Sequence, residues 1–157
     1  MSDRNKDLVR LWVEQIVNGK DLDACVRLVA EEYIEHAAMP FGRPAPGLVP
    51  GPATMRQTAE FMNAMFPDFA LTIDAMIAED DVVAVRATAR GTNLGPIGGV
   101  VPPTGRAFVA AQDHWFRVKD GKLAEHWATR DDLTSMLQLG VIDPPRPPGG
   151  PPRPDGS

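Results

Sequence analysis

The chain is 157 residues long, 43% hydrophobic and 24% charged, which is the size and mix of one globular domain and leaves no room for a second substantial core. Sixteen Lys and Arg against 21 Asp and Glu give a net charge of −5, which argues against a surface built mainly to follow nucleic acid phosphates or anionic lipid. The single cysteine, Cys25, excludes an intrachain disulfide framework and any cluster held by several thiolates.

Over residues 7–17 the apolar Leu8, Leu11, Trp12 and Ile16 recur at three and four, one face of a first helix with Gly19 as its stop. Asp21 or Asp23 can cap a second helix that carries Leu22, Cys25, Val26 and Val29 and runs on toward Tyr33 and His36. Cys25 lies in that apolar stripe and is read as a packing residue. Residues 40–52 hold five prolines and three glycines, a stiff loop able to rim a pocket. Pro52 suits the first turn of a third helix, in which Met55, Ala59, Met62 and Met65 or Phe66 share a face until Pro67 ends it.

Strand texture follows. Leu71, Ile73, Ala75 and Ile77 alternate with Thr72, Asp74 and Met76, and Glu79-Asp80-Asp81 reads as a turn. A second strand runs from Val82 to Gly91, a Gly/Pro segment intervenes, and a third runs from Arg106 through Val118. Asp120-Gly121 is a hairpin turn that returns the chain as Leu123 to Arg130, and Leu133, Met136 and Leu137 mark a short closing helix. The expected class is α+β: N-terminal helices over one face of a curved antiparallel sheet, with a cavity between the layers. Seven of the sixteen prolines fall in residues 143–157, read as a disordered tail, so the expected domain spans residues 1–142.

The side-chain inventory narrows the chemistry. The serines are Ser2, Ser135 and Ser157, so no G-x-S-x-G elbow exists, and the four lysines sit near helix ends or beside the hairpin turn, where an ammonium stays hydrated. Gly91, Gly95, Gly98 and Gly99 lack dinucleotide spacing and are loop glycines. His36, His114 and His126 form no paired zinc motif. No apolar run approaches the ~20 residues of a membrane span, and residues 1–6 are polar, so a soluble cytoplasmic protein is expected.

If Asp120-Gly121 is a two-residue turn, His114 lies opposite Trp127 and His126 opposite Trp115, and the two histidines point to opposite faces unless a bulge shifts the register. The inward face then carries Gln112, His114, Phe116, Leu123, Trp127 and Thr129, with Asp131 at its end and Glu125 also on it. The outward face carries Asp113, Trp115, Arg117, His126 and Arg130. An Asp closing an apolar and aromatic face is a desolvated carboxylate whose pKa burial raises, which makes it a better proton acceptor. Asp131 and Asp132 have a second reading as caps of the helix that starts at Leu133. His114 is read either as a core histidine or as a catalytic group, and His36, one helical turn after Tyr33, either as a helix C-terminal histidine or as a ligand contact. Arg86 and Arg90 share a strand face with Thr88 and are read as a solvated or ion-paired surface.

The ordered series Tyr33-Ile34-Glu35-His36, Gly91-Thr92-Asn93-Leu94-Gly95, Pro102-Pro103-Thr104-Gly105-Arg106 and Arg117 to Trp127 followed by Asp131 resembles the SnoaL-like polyketide cyclases, across roughly residues 7–142 and through Leu137-Gln138-Leu139-Gly140. The resemblance implies a cone-shaped α+β barrel of the nuclear-transport-factor-like superfamily with a ligand pocket between sheet and helices. It implies a homodimer or homotetramer and chemistry with neither metal nor organic cofactor. It further implies intramolecular aldol ring closure of a polyketide or related dicarbonyl, with Asp131 as acid/base and His114 assisting. His36, Tyr33, Gln112, Trp127, Phe66 and Asn93 are then expected to contact substrate. Asn93 stands where members often carry His, which bears on specificity. The alternatives are a cofactor-free hydroxylase of a polycyclic aromatic polyketide and a non-catalytic small-molecule-binding or dimerisation module.

Overall fold

The first helix changes pitch where it meets the sheet. In the computed structural model, which describes residues 2–42 and 50–150, α1 (Ser2–Leu11) continues as a π-helical stretch, Trp12–Asn18. Its wider turn brings Trp12, Ile16 and Val17 toward the same cavity. Residues 43–49 of the expected proline-rich rim and 151–157 of the expected tail lie outside the described residues, and residues 143–150 carry no helix or strand.

The second helix is shorter than its stripe predicts. α2 spans only Ala24–Leu28, and Val29–Glu35 is a strand, β1. Helical periodicity continues to Tyr33, but β1 gains backbone partners by lying parallel to β5. A pairing made far along the chain overrides local preference. Cys25 is buried in α2, where burial pushes its thiol up to about 11, as suits a packing residue.

α3 (Pro52–Met65) starts on a proline and stops at Phe66, before Pro67. It is followed by β2 (Ala70–Glu79), β3 (Val82–Thr92), β4 (Ala107–Lys119), β5 (Lys122–Arg130) and α4 (Asp132–Leu139). The sheet order is β1-β5-β4-β3-β2. The last four strands pair antiparallel, but β1 joins parallel, so the sheet is mixed rather than wholly antiparallel. Val9, Val13 and Ile16 from the first helix and Met62 and Met65 from α3 bury against Val83, Val85, Phe116 and Leu123 of the sheet. Removing such side chains from water is the main stabilising term.

Two local features set the geometry. Asp120 and Gly121 both adopt left-handed φ, 50° and 73°, the tight turn read from the sequence. Beyond it β5 carries a bulge. Lys119 pairs with Lys122 and Val118 with Leu123, but Arg117 pairs with Glu125, leaving Ala124 without a partner on β4.

The connection between β3 and β4 is held from inside by Asn93, which is fully buried. Its Oδ1 accepts from the Thr104 N–H at 2.7 Å and the Thr104 hydroxyl at 3.1 Å, while Nδ2 donates to the carbonyls of Gly95 and Met65. Gly95 follows because a Cβ there would stand 1.8 Å from the Ala64 carbonyl oxygen. Asn93→Ala strips partners from several buried backbone groups and is expected to lower stability by roughly 2–3 kcal/mol in urea unfolding.

Candidate active site

The bulge decides which side chains meet. It moves every β5 residue beyond Ala124 to the opposite face from that expected for an unbroken hairpin. His126 now lies across from Phe116, and Trp127 across from Trp115. His114 and His126 therefore share the concave face, which corrects the expectation that they diverge. Glu35, the last residue of β1, is the Cα partner of His126 across the parallel pair, so its carboxylate joins them.

A line of hydrogen bonds results. The Tyr33 hydroxyl donates to Glu35 Oε2 at 2.7 Å, and the Ala37 N–H to Oε1 at 3.0 Å. His126 Nδ1 lies 2.9 Å from both carboxylate oxygens. His126 Nε2 is 3.0 Å from His114 Nδ1, and His114 Nε2 is 3.1 Å from Gln112 Oε1. All five side chains are buried. Trp12 packs edge-on against His114 and Phe116, and Phe116 stacks on His126.

Burial alone would raise the Glu35 pKa. The charge of His126 and the hydrogen bonds from His126, Tyr33 and Ala37 outweigh it and hold the carboxyl below its ordinary value. Burial, with the Glu35 charge, pushes the Tyr33 phenol well above its usual range, so it remains a donor. Burial, reinforced by the charges of His126 and Arg130, pushes His114 well below 6.5, so its ring is neutral at neutral pH.

The proton count depends on one amide. With Gln112 Oε1 facing it, His114 carries its proton on Nε2 and its Nδ1 accepts from His126 Nε2–H; a His126 that also donates Nδ1–H to Glu35 then holds a proton on each ring nitrogen. Turning the carboxamide to present NH₂ reverses the line: His114 accepts at Nε2, donates from Nδ1, and leaves His126 neutral. The two states differ by one proton.

This line forms one wall of a cavity with about 590 Å³ free of protein atoms, part of it continuous with solvent. Glu35, Gln112, His114, His126 and Arg130 supply its polar groups on the sheet side, and Thr58 and Asn63 of α3 add two more. Trp12, Ile16 and Val17 of the π-helical stretch, Met55, Ala59 and Met62 of α3, and Phe69 and Leu71 line the rest. The mixture is that of a small-molecule site. Among the described residues no group of three His, Cys, Asp or Glu is placed to hold a metal ion.

Asp131 is not the desolvated carboxylate expected of it. It is the N-cap of α4: its Oδ1 accepts the Thr134 N–H at 3.0 Å, and the side chain is exposed. Hydrogen bonds from the Thr134 side chain and backbone hold its pKa below the ordinary value rather than above it. The strand ends at Arg130 and the shifted register takes Asp131 away from the concave face, so it does not line the cavity. Asp132 is half-buried, raised by that burial, and accepts the Phe41 N–H at 3.1 Å.

Of the other expected contacts, Gln112 and His114 line the cavity. Tyr33 stands behind its wall, bonded to Glu35. His36 follows a strand rather than ending a helix, stacks on Trp127 at 4.5 Å, and lies 2.7 Å from Glu125 on the convex side, so His36 and Trp127 are outside the cavity. Phe66 is a core residue against Phe108 and Phe41, and Asn93 is the loop clamp. Glu35, His126 and Arg130 were not among the expected site residues. Reading residues 29–35 as a strand places Tyr33 and Glu35 on one face, and a bulge in the returning strand places His126 and Arg130 there too.

A depressed histidine pKa in the folded state means that the unfolded chain binds the proton first as pH falls. The stabilisation from His114 is present above pH 6.5 and declines as pH drops below that value, by up to about 1.4 kcal/mol per pH unit. Urea unfolding between pH 5 and 8 is expected to show this decline, and His114→Gln to flatten it.

The family model for SnoaL-like polyketide cyclase matches residues 7–139. Aklanonic acid methyl ester cyclase DauD from Streptomyces sp. (strain C5) is 32% identical over 136 residues, covering 85% of this chain and 80% of that protein. Nogalonic acid methyl ester cyclase from Streptomyces nogalater is 30% identical over 95 residues, 60% of this chain and 70% of that one. IdmH, a proposed polyketide cyclase from Streptomyces antibioticus, has a similar structure with TM-score 0.72 at 33% identity, covering 87% of this chain and 99% of its own. AclR, a proposed hydroxylase from Streptomyces galilaeus, gives 0.75 at 26% identity, covering 93% and 87%. Matched over most of its length by the family model and by relatives of that family, the chain belongs to the SnoaL-like polyketide cyclases.

Proposed function

We propose that this protein is a cofactor-independent cyclase that closes a ring by an intramolecular aldol reaction of a polyketide or related dicarbonyl compound, with His114 as acid/base. The observation that carries this reading is the buried line from Glu35 to Gln112, which ends at the cavity wall and joins ring nitrogens that can each donate or accept, so that it can take up and return one proton. In the base state His114 Nε2 removes a proton from the carbon between two carbonyls. Its Nδ1 proton passes to His126 Nε2, and the positive charge rests beside Glu35. The carbanion attacks a second carbonyl carbon of the same molecule, forming the carbon–carbon bond. The oxygen that receives the electron pair takes the proton back from His114 Nε2, so the count closes without oxidant or reductant.

The cavity's larger contribution is to fold a flexible chain so that carbanion and carbonyl meet, an effect that in well-oriented systems reaches several kcal/mol. Glu35 acts through His126, holding its tautomer and stabilising its charge in a water-poor site. With aklanonic acid methyl ester as the first substrate, Glu35→Gln and His114→Gln are expected to lower turnover on the order of 10²–10⁴-fold. Asp131→Asn should leave turnover near wild type. Full activity in His114→Gln would overturn the assignment, and oxygen uptake during turnover would point to hydroxylation instead.

The proposed setting is the cytoplasm, as a homodimer or homotetramer. The convex sheet face supports self-association: Trp115, Val109 and Ile77 are 48%, 55% and 68% exposed there, more apolar surface than a monomer's sheet face usually shows. Trp115→Glu is expected to shift the sedimentation coefficient toward that of a monomer.

A further inference from the structure

Gln112 and Arg130 are Cα partners across β4 and β5, two residues along from the pair His114 and Ala128 and on the same face. Both line the cavity. Arg130 is half-buried and donates from Nη1 to the Ala38 carbonyl at 2.9 Å, yet it makes no ion pair among the described residues. The carboxylates nearest in effect are already engaged: Glu35 by His126, Tyr33 and Ala37, and Asp132 by the Phe41 N–H. By contrast, Arg117 and Arg56, both on the surface, each hold two carboxylates.

Gln112 adds a second donor. Its Oε1 is turned to His114, and Nε2 has no partner among the described residues. Ala128, with only a methyl group, leaves the space between these donors and His114 unfilled by a long side chain. A guanidinium drawn partly out of water on the same cavity as an amide N–H₂ of its cross-strand partner lacks only an anionic oxygen.

We propose that Arg130 and Gln112 Nε2 form an oxyanion site for one oxygen of a β-dicarbonyl substrate, placing the acidic carbon beside His114 Nε2, so that the substrate class is a β-dicarbonyl bound increasingly tightly as it becomes an enolate. This rests on the reading of the cavity as the substrate site. After proton removal Gln112 Oε1 accepts from the newly protonated His114 while Nε2 donates to the enolate oxygen. One amide then serves both ends of the transfer, and Arg130 is a catalytic residue because it touches the atom on which charge develops.

The test is a binding measurement that needs no turnover. Phenindione, an aromatic β-dicarbonyl ionised at neutral pH, is compared by calorimetry with its C-methylated derivative, which keeps both carbonyls but has no acidic proton. Wild-type protein is expected to bind the anion on the order of tenfold to a hundredfold more tightly. Arg130→Gln is expected to lose that preference while keeping its affinity for the neutral compound, and Arg130→Lys, which keeps charge but not the fork, to lose part of it. Equal wild-type affinities, or a preference that survives in Arg130→Gln, overturn the oxyanion site while leaving the cavity reading intact. If neither compound binds wild-type protein, both readings fall. Should Arg130→Gln not fold, Gln112→Leu decides by the same comparison, with a reduced preference expected and an undiminished one overturning the site.

Discussion

One unpaired residue in β5 governs the site. Were Ala124 paired in an unbroken hairpin, His126 would face the convex surface and His114 would stand on the concave face without an imidazole to bond. The bulge turns His126 inward, opposite Phe116, and leaves Leu123 and Ala124 buried side by side. Because β1 lies parallel to β5 with Glu35 matched to His126, the same displacement delivers a carboxylate to the imidazole. Geometry this dependent on register is strongly specified only where one face is buried, and here the helices bury it.

A buried polar line of this kind is stabilising only when complete. One missing partner would leave a charge or a lone pair in a low-dielectric interior at a cost of several kcal/mol. Among the described residues, no side-chain nitrogen or oxygen wholly shut off from solvent lacks a hydrogen-bond partner. Glu35 achieves this through Tyr33, Ala37 and His126 together, which is why its carboxyl stays ionised despite its burial. The opposite wall is mostly apolar, built from the π-helical stretch and the methionine face of α3, with Thr58 and Asn63 its polar members. The pitch change at Trp12 thus has a use: it sets Trp12 against His114 and Phe116 while keeping Ile16 and Val17 on the same cavity.

Elements with a strong local signature were legible in the sequence. α3 lies between Pro52 and Pro67, the hairpin turns at Asp120-Gly121, and α4 closes with Gly140 in the left-handed region. β1 was not legible, because the stripe from Leu22 through Val29 continues a helical period and nothing nearby in the chain announces a strand edge waiting on β5. Asp131 illustrates the other limit. Its two readings, base and cap, differ only in which way the chain turns after Arg130, and the Thr134 N–H captures it as a cap.

The sequence by itself determined the order of helices and strands apart from β1, the family resemblance, and the presence of Gln112 and His114 on one alternating face, since all of these depend on neighbours a few residues apart. Only the tertiary structure decided that Glu35, His126 and Arg130 line the cavity and that Asp131 does not. Strand alternation has a period of two, so a single inserted residue exchanges the inner and outer sets, and a parallel partner arrives from the other end of the chain. Neither event leaves a mark in the local pattern, and together they choose which side chains share the cavity.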